Sequence, residues 1–242
     1  MTLLVVGAGT MGEWFAHMLA ETTEVAVADT DPERATAVAD RLGVTSVPLD
    51  TDERFDAVCF AVPMSAIEDA IAEHAPKAER AVVDVTGSMA EPVAAMETHA
   101  PDRERLSLHP LFAPENAPGH IAAVADAAGP VTDEIRTALA AENDLFETTP
   151  AEHDRAMETV QAGAHAAVLA YALAAEDVRE EFHTPISGPL DELTEQVLSG
   201  SPQVYAEIQE RFDGAEAVAE AAERIATDGA GVEALYREAR DR

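Results

Sequence analysis

Residues 3–12 read Leu3-Leu4-Val5-Val6-Gly7-Ala8-Gly9-Thr10-Met11-Gly12. Four consecutive apolar residues closed by a glycine predict a short strand buried on both faces. Three glycines follow at the spacing G-x-G-x-x-G, and Met11 to Ala20 continues with a helical period. A lone match to this spacing says little, but here it follows a strand and opens a helix. In that context Gly7 permits the tight turn, Gly9 lets the backbone approach a pyrophosphate, and Gly12 lets the helix close on the strand. The N–H groups at the helix start, at Thr10 and Met11, then face the phosphates.

Working outward, Val25 to Ala28 predicts a second strand ending at Asp29, 22 residues after Gly7. An acid at that position accepts hydrogen bonds from the adenine ribose and repels a 2′-phosphate, which points to NAD over NADP. Arg34 is near enough to leave NADP use open, and Asp29 can also be read as a turn residue before Asp31-Pro32. A helix is expected over Pro32 to Leu42, then a strand at Ala57 to Val62 and a helix from Ser65 to His74. A further strand, Ala81 to Val85, precedes a helix near Glu91 to Thr98. Leu106 to Leu108 and Ile121 to Ala125 are two more strand candidates. A helix at Thr132 to Glu142 and a strand at Asp144 to Glu147 close the unit. This alternation predicts a Rossmann-type, doubly wound, mainly parallel α/β sheet. In such a sheet Val62 and Pro63, at a strand end, wall the cofactor crevice, and Asp84, Thr86 and Ser88 reach the same edge.

After Pro150 no strand pattern remains. Ala156 to Glu180 reads as one long Ala-rich helix, and Pro185, Gly188-Pro189, Gly200-Ser201-Pro202, Gly214 and Gly229 punctuate four or so further helical segments. The chain therefore divides into 1–150, an NAD-binding domain, and 151–242, an all-helical domain. The single cysteine, Cys59, lies in an apolar run and reads as a buried small hydrophobe. No cleavable leader and no apolar run near the ~20 residues of a membrane span is visible, so a cytoplasmic location is expected. The net charge of −32, with Lys77 the only lysine, makes nucleic acid and anionic membrane poor partners. Acidic residues spread along the whole chain repel one another in dilute buffer but are screened where the Debye length falls to about 3 Å, in molar salt. That pattern predicts a halophile's protein.

Polar groups able to do chemistry cluster in three stretches: Asp84-Val-Thr-Gly-Ser88, His109-Pro110-Leu111-Phe112-Ala113-Pro114, and Glu152-His153-Asp154 leading to Met157, Gln161 and His165. With Ser201-Pro202-Gln203-Val204-Tyr205 near the end, they resemble, in the same order, the motifs of the prephenate and arogenate dehydrogenases. The resemblance implies oxidative decarboxylation of a cyclohexadienol. Hydride leaves C4 for NAD, His109 takes the hydroxyl proton, Ser88 with Thr86 in reserve hydrogen-bonds the same hydroxyl, and carboxylate loss as CO₂ gives a phenol. Prephenate is the expected substrate, with arogenate as the alternative. His165 is expected to face the substrate, whereas His153-Asp154 reads equally as a helix cap or a site element. His74, His99, His120 and His183 show no ligand spacing, so no metal is expected.

Two positions depart from the family pattern. Gln196 stands where a substrate-binding arginine is expected and cannot supply its charge. Met89-Ala90 stands where the family has a lysine. Arg211, or an arginine of a second subunit, is a candidate replacement cation. The resemblance also implies a homodimer through the helical domain; because the α/β pattern starts at residue 2 and helical segments run to Arg242, no separate regulatory module is expected. Two other classes remain open: another two-domain reductase, disfavoured because no lysine follows residue 77, and an NAD-binding protein without catalysis.

Overall fold

The computed structural model describes residues 1–227 and 231–241; Gly229 and Arg242 lie outside the described residues. The chain forms two compact units, Met1–Asp154 and Arg155–Arg242. The boundary read from the sequence at Pro150 is where the strand pattern stops. The first turn of the next helix, which carries His153 and Asp154, nevertheless belongs with the first unit.

The first unit is built on strands β1 (Thr2–Val6), β2 (Glu24–Ala28), β3 (Thr45–Ser46), β4 (Phe55–Phe60), β5 (Ala78–Asp84), β6 (Glu104–Pro110), β7 (His120–Ala127) and β8 (Asp144–Glu147). They form one sheet in the order β3-β2-β1-β4-β5-β6-β7-β8. The connections carry helices α1 (Thr10–Ala20), α2 (Pro32–Leu42), α3 (Ile67–His74), α4 (Ala90–His99) and α5 (Pro130–Ala140). Pairing is parallel throughout except between β6 and β7. Only residues 111–119 connect those two strands, fewer than the dozen or so a parallel crossover needs, so the chain must turn back. The edge strand β3 has two residues, too few to leave a periodic signal.

Alternation along the central strands divides the core between the sheet's two faces. Leu3, Val5, Val25, Val27, Cys59 and Val83 pack with Trp14, Phe15 and Leu19 of α1, Val38 of α2 and Ile135 and Leu139 of α5. Leu4, Val6, Val58, Phe60 and Val82 pack on the other side with Ile67 and Ile71 of α3 and Val93 and Met96 of α4. Burial on both faces explains why these strands read as continuous apolar runs. Cys59 is fully buried, and burial pushes its thiol well up, as expected for a packing residue.

Local chemistry sets the helix ends. Asp31 caps α2, accepting from the N–H groups of Glu33 at 3.0 Å and Arg34 at 3.3 Å, and Gly43 ends that helix in the left-handed region. Glu104 reaches from β6 to accept the N–H groups of Val131 (2.8 Å) and Thr132 (2.9 Å) at the start of α5.

Helix α6 (Pro150–Met157) runs across the division, and the second unit continues with a π-helical segment, Glu158–Gly163, and α7 (Ala164–Ala174). α8 (Ser187–Ser199), α9 (Pro202–Arg211), α10 (Gly214–Thr227) and α11 (Val232–Arg240) complete it. The single helix read over Ala156 to Glu180 is thus corrected: it widens into the π segment and stops at Ala174. Ala175 is extended, and Glu176 and Asp177 follow, two negative charges at a helix end whose dipole disfavours them. Among the described residues, every exposed large apolar side chain except Leu111 and Phe146 belongs to this unit, with Leu173 at 89% exposure and Ile186 at 76%.

Candidate active site

The sheet order reverses between β1 and β4, and the carboxyl ends of these strands flank a crevice of the kind that holds ligands in open α/β sheets. The glycine turn sits there. Gly7 adopts φ +104°, and a Cβ on it would lie 2.2 Å from the carbonyl oxygen of Ala61, at the end of β4. A Cβ on Gly12 would lie 1.9 Å from the Gly7 carbonyl oxygen. Gly9 differs: a Cβ there meets nothing within 4 Å. It is also the N-cap of α1, with no side chain capping the helix. Beyond Gly9 lie the first-turn N–H groups of an 11-residue helix, with Thr10 exposed and Met11 half-buried. An open cradle with uncapped backbone donors fits a pyrophosphate.

Asp29 holds this turn from the end of β2. Its Oδ2 accepts the Ala8 N–H at 2.7 Å, while Oδ1 accepts from the N–H of Asp31 at 2.8 Å and the hydroxyl of Thr30 at 3.3 Å. The carboxylate is half-exposed, so it retains room for a ribose hydroxyl. Arg34 is exposed on the first turn of α2. Val62 lines the same turn, its Cγ1 3.4 Å from the Cβ position of Gly7, and Pro63 is exposed beside it.

At the ends of β5 and β6 a second, buried group of polar residues adjoins the crevice. Asp84 is fully buried, and Thr86 donates to its Oδ2 both its N–H (3.0 Å) and its hydroxyl (2.7 Å). Burial raises the Asp84 pKa to about 7, although the Thr86 and Ser107 hydroxyls and the Thr86 N–H oppose the shift. The Thr86 hydroxyl, read from sequence as a reserve substrate contact, is thus turned toward Asp84. Ser88 is fully buried, and its Oγ has no hydrogen-bond partner. A buried hydroxyl in that state is unusual and marks a place where a ligand can complete the bonding. His109, near the end of β6, reaches the same turn: the Cβ position of Gly87 is 3.9 Å from His109 Nε2. Burial lowers the His109 pKa to about 3, the neighbouring His153 adding to the effect and Asp154 opposing it, so the ring is neutral at pH 7.

His153 and Asp154, on the first turns of α6, complete the group. His109 Nδ1 lies 2.8 Å from His153 Nε2, and His153 Nδ1 lies 2.8 Å from Asp154 Oδ1. The Asp154 carboxylate also accepts the N–H groups of Met89 (3.0 Å) and Ala90 (3.1 Å), at the start of α4. Burial works against the Asp154 charge, but His153 and the two backbone donors outweigh it and hold the carboxyl below its usual range. The sequence singled out Glu152-His153-Asp154 without linking it to His109; 44 residues separate the two rings, so only folding reveals the contact.

The second unit carries His165 and Gln196. His165, on α7, packs edge-on against Tyr205 of α9, ring centroids 4.8 Å apart. Burial lowers its pKa, and its Nδ1 is buried without a hydrogen-bond partner. Gln196 is exposed on α8. No group of three or more metal-ligating side chains occurs among the described residues. No described helix is long and apolar enough to cross a membrane.

A glycine turn at a sheet switch point and an acid at the end of β2, with a buried histidine and a buried serine at the ends of neighbouring strands, define a Rossmann-type unit of the dinucleotide-binding class. The comparisons agree with that class. Residues 2–88 match a family profile described as NADP oxidoreductase, coenzyme F420-dependent. No curated protein matches the sequence. Among solved structures, the chain is similar to the prephenate dehydrogenase of Aquifex aeolicus, solved with hydroxyphenyl propionate and NAD+: TM-score 0.74, 16% identity, covering 99% of this chain and 92% of that one. It is similar to the arogenate dehydrogenase of Synechocystis at TM-score 0.64 and 15% identity, covering 100% and 97%. An imine reductase from Pseudomonas sp. follows at TM-score 0.52 and 17% identity, covering 93% and 77%. At these identities what is shared is the fold, a Rossmann-type sheet followed by a helical region.

Proposed function

We propose that this chain is an NAD-dependent dehydrogenase that converts prephenate to 4-hydroxyphenylpyruvate by oxidative decarboxylation, a reaction of tyrosine biosynthesis, with arogenate as the alternative substrate. The observation that carries the reading is the neutral, buried His109 against the Gly87 turn, whose next residue, Ser88, has a buried hydroxyl without a partner, together with a glycine turn open at Gly9. Similarity of fold to a prephenate and an arogenate dehydrogenase supports it.

NAD, held by the N–H groups at Gly9, Thr10 and Met11 and by Asp29, supplies the hydride acceptor. The chain's own residues handle the proton. Neutral His109 accepts the proton of the C4 hydroxyl as the carbonyl forms. Ser88 Oγ, otherwise without a partner, hydrogen-bonds the same oxygen and fixes its distance from the ring. Burial of both groups keeps water from competing for that oxygen. Loss of the ring carboxylate as CO₂ leaves the electron pair of the broken carbon–carbon bond in the ring, which becomes aromatic as the C4 oxygen takes a proton back to give the phenol.

In this reading the exposed apolar side chains of the helical unit are covered in a homodimer. The dispersed acidic charge suits a high-salt cytoplasm. Gln196 favours one rival, an NAD-binding protein without this chemistry, because a glutamine leaves a substrate carboxylate without its cation. His109→Asn separates the two. It lowers kcat by roughly a hundredfold or more, the usual contribution of a general base, with NAD affinity unchanged; undiminished turnover by this variant would remove His109 from the reaction.

A further inference from the structure

Building on the proposed role of His109, we infer that His153 and Asp154 are positioning residues that set its tautomer. The direction of each hydrogen bond follows from the one partner that can only accept. The Asp154 carboxylate already takes the N–H groups of Met89 and Ala90, and it requires an N–H on His153 Nδ1, 2.8 Å away. In an uncharged imidazole whose Nδ1 bears the proton, Nε2 carries the lone pair, and we assign His153 that form. His109 Nδ1, 2.8 Å from it, must supply the proton of that bond. His109 Nε2 is left with the ring's lone pair. That nitrogen lies beside the Gly87–Ser88 turn, on the side where the proposed reaction delivers a proton.

Each element of the chain of bonds is anchored. Met89 is the N-cap of α4 and brings no side-chain cap of its own, so Asp154 serves that helix start from another part of the chain. The two rings meet edge-on, centroids 5.0 Å apart at 71°, which limits rotation of either one. Both nitrogens of buried His153 face these two partners, so its effect on chemistry runs through His109. A cap alone would need only Asp154. A buried histidine directed at a second histidine adds something a cap does not require: a fixed choice of which nitrogen of His109 is basic.

The test uses ¹⁵N-histidine-labelled protein without cofactor, at about pH 8, above the ordinary range of a histidine side chain. His109 is identified by the signals lost in His109→Asn. The wild type is expected to show His109 protonated at Nδ1 and bare at Nε2. His153→Gln keeps an acceptor oxygen for His109 Nδ1–H and should preserve that state; His153→Leu removes the acceptor and should give mixed or reversed tautomers. Turnover should fall roughly a hundredfold in the leucine variant, at unchanged NAD affinity, and recover largely in the glutamine variant. His109 protonated at Nε2 in the wild type overturns the inference, as does an unchanged tautomer in His153→Leu. The wild-type spectrum decides even where the leucine variant fails to fold. Absence of turnover in the wild type would count against the proposed reaction, while the tautomer measurement would still decide this inference.

Discussion

Alanine at Gly9 and alanine at Gly12 should damage the protein in different ways, although the two glycines belong to one turn. At Gly12 the new Cβ would sit 1.9 Å from the Gly7 carbonyl oxygen and 3.2 Å from Ala61 Cβ. A carbon–oxygen contact settles at roughly 3.3 Å, so backbone must yield by more than an ångström. Overpacking costs about 1–3 kcal/mol, the upper end applying where backbone is struck. Replacing a helical glycine returns about 1 kcal/mol. A net loss of about 2 kcal/mol corresponds to a melting temperature lower by roughly 4–8 °C for a unit of this size. At Gly9 the Cβ meets nothing within 4 Å, and the backbone is in an extended region open to alanine. The stability cost is the loss of a favoured N-cap residue, at most about 1 kcal/mol. The methyl instead occupies the space where a pyrophosphate approaches. Losing one N–H contact to a charged phosphate, about 1.5–3 kcal/mol, raises the Kd for NAD roughly 10- to 150-fold. Thermal melting without cofactor and calorimetric titration with NAD measure the two effects. Wild-type NAD affinity in Gly9→Ala, or a Gly12→Ala melt no lower than that of Gly9→Ala, would refute the reasoning.

Asp29→Ala removes both the acceptor for the Ala8 N–H and the negative charge at the end of β2; NAD binding should weaken and the preference for NAD over NADP should narrow, and an unchanged preference in paired titrations would end the ribose role. Burial raises Asp84 to about 7, so between about pH 4 and that value the folded state holds a proton the unfolded state has lost, and this group's contribution to stability falls by about 1.4 kcal/mol per pH unit as pH rises. Asp84→Asn deletes that slope: the variant's unfolding free energy minus that of the wild type should climb through this window and level off above it, whereas a flat difference in denaturant titrations would show that Asp84 is ionised when folded.

The parallel sheet was legible because each central strand is buried on both faces and so reads as an unbroken apolar run, from Leu3 to Val6 and from Ala57 to Phe60. The glycine turn was legible because backbone geometry there leaves a mark in the sequence: only glycine tolerates φ +104° at Gly7 or the contact at Gly12. The reversal of β7 was encoded in the shortness of residues 111–119, a length signal that a strand-by-strand reading overlooks. The end of α7 at Ala174 depends on a local balance between helix propensity and acidic charge, which the alanine-rich period alone hides. The buried group was legible only in part. Ser88 and His109 stand near strand ends and can be placed at one edge of the sheet by topology. The link from His109 through His153 to Asp154 joins residues far apart in the chain, and its anchors are the backbone N–H groups of Met89 and Ala90, which no residue type announces. The same reason explains Thr86, whose hydroxyl is taken by Asp84 through a turn visible only once folded.

The central claim is tested most directly by following NADH formation and CO₂ release together in about 2–3 M KCl, where the dispersed charge is screened, offering prephenate and arogenate separately. The account predicts reduced cofactor and CO₂ in equal amounts from one of the two substrates. Folded, NAD-binding protein that produces neither would contradict it.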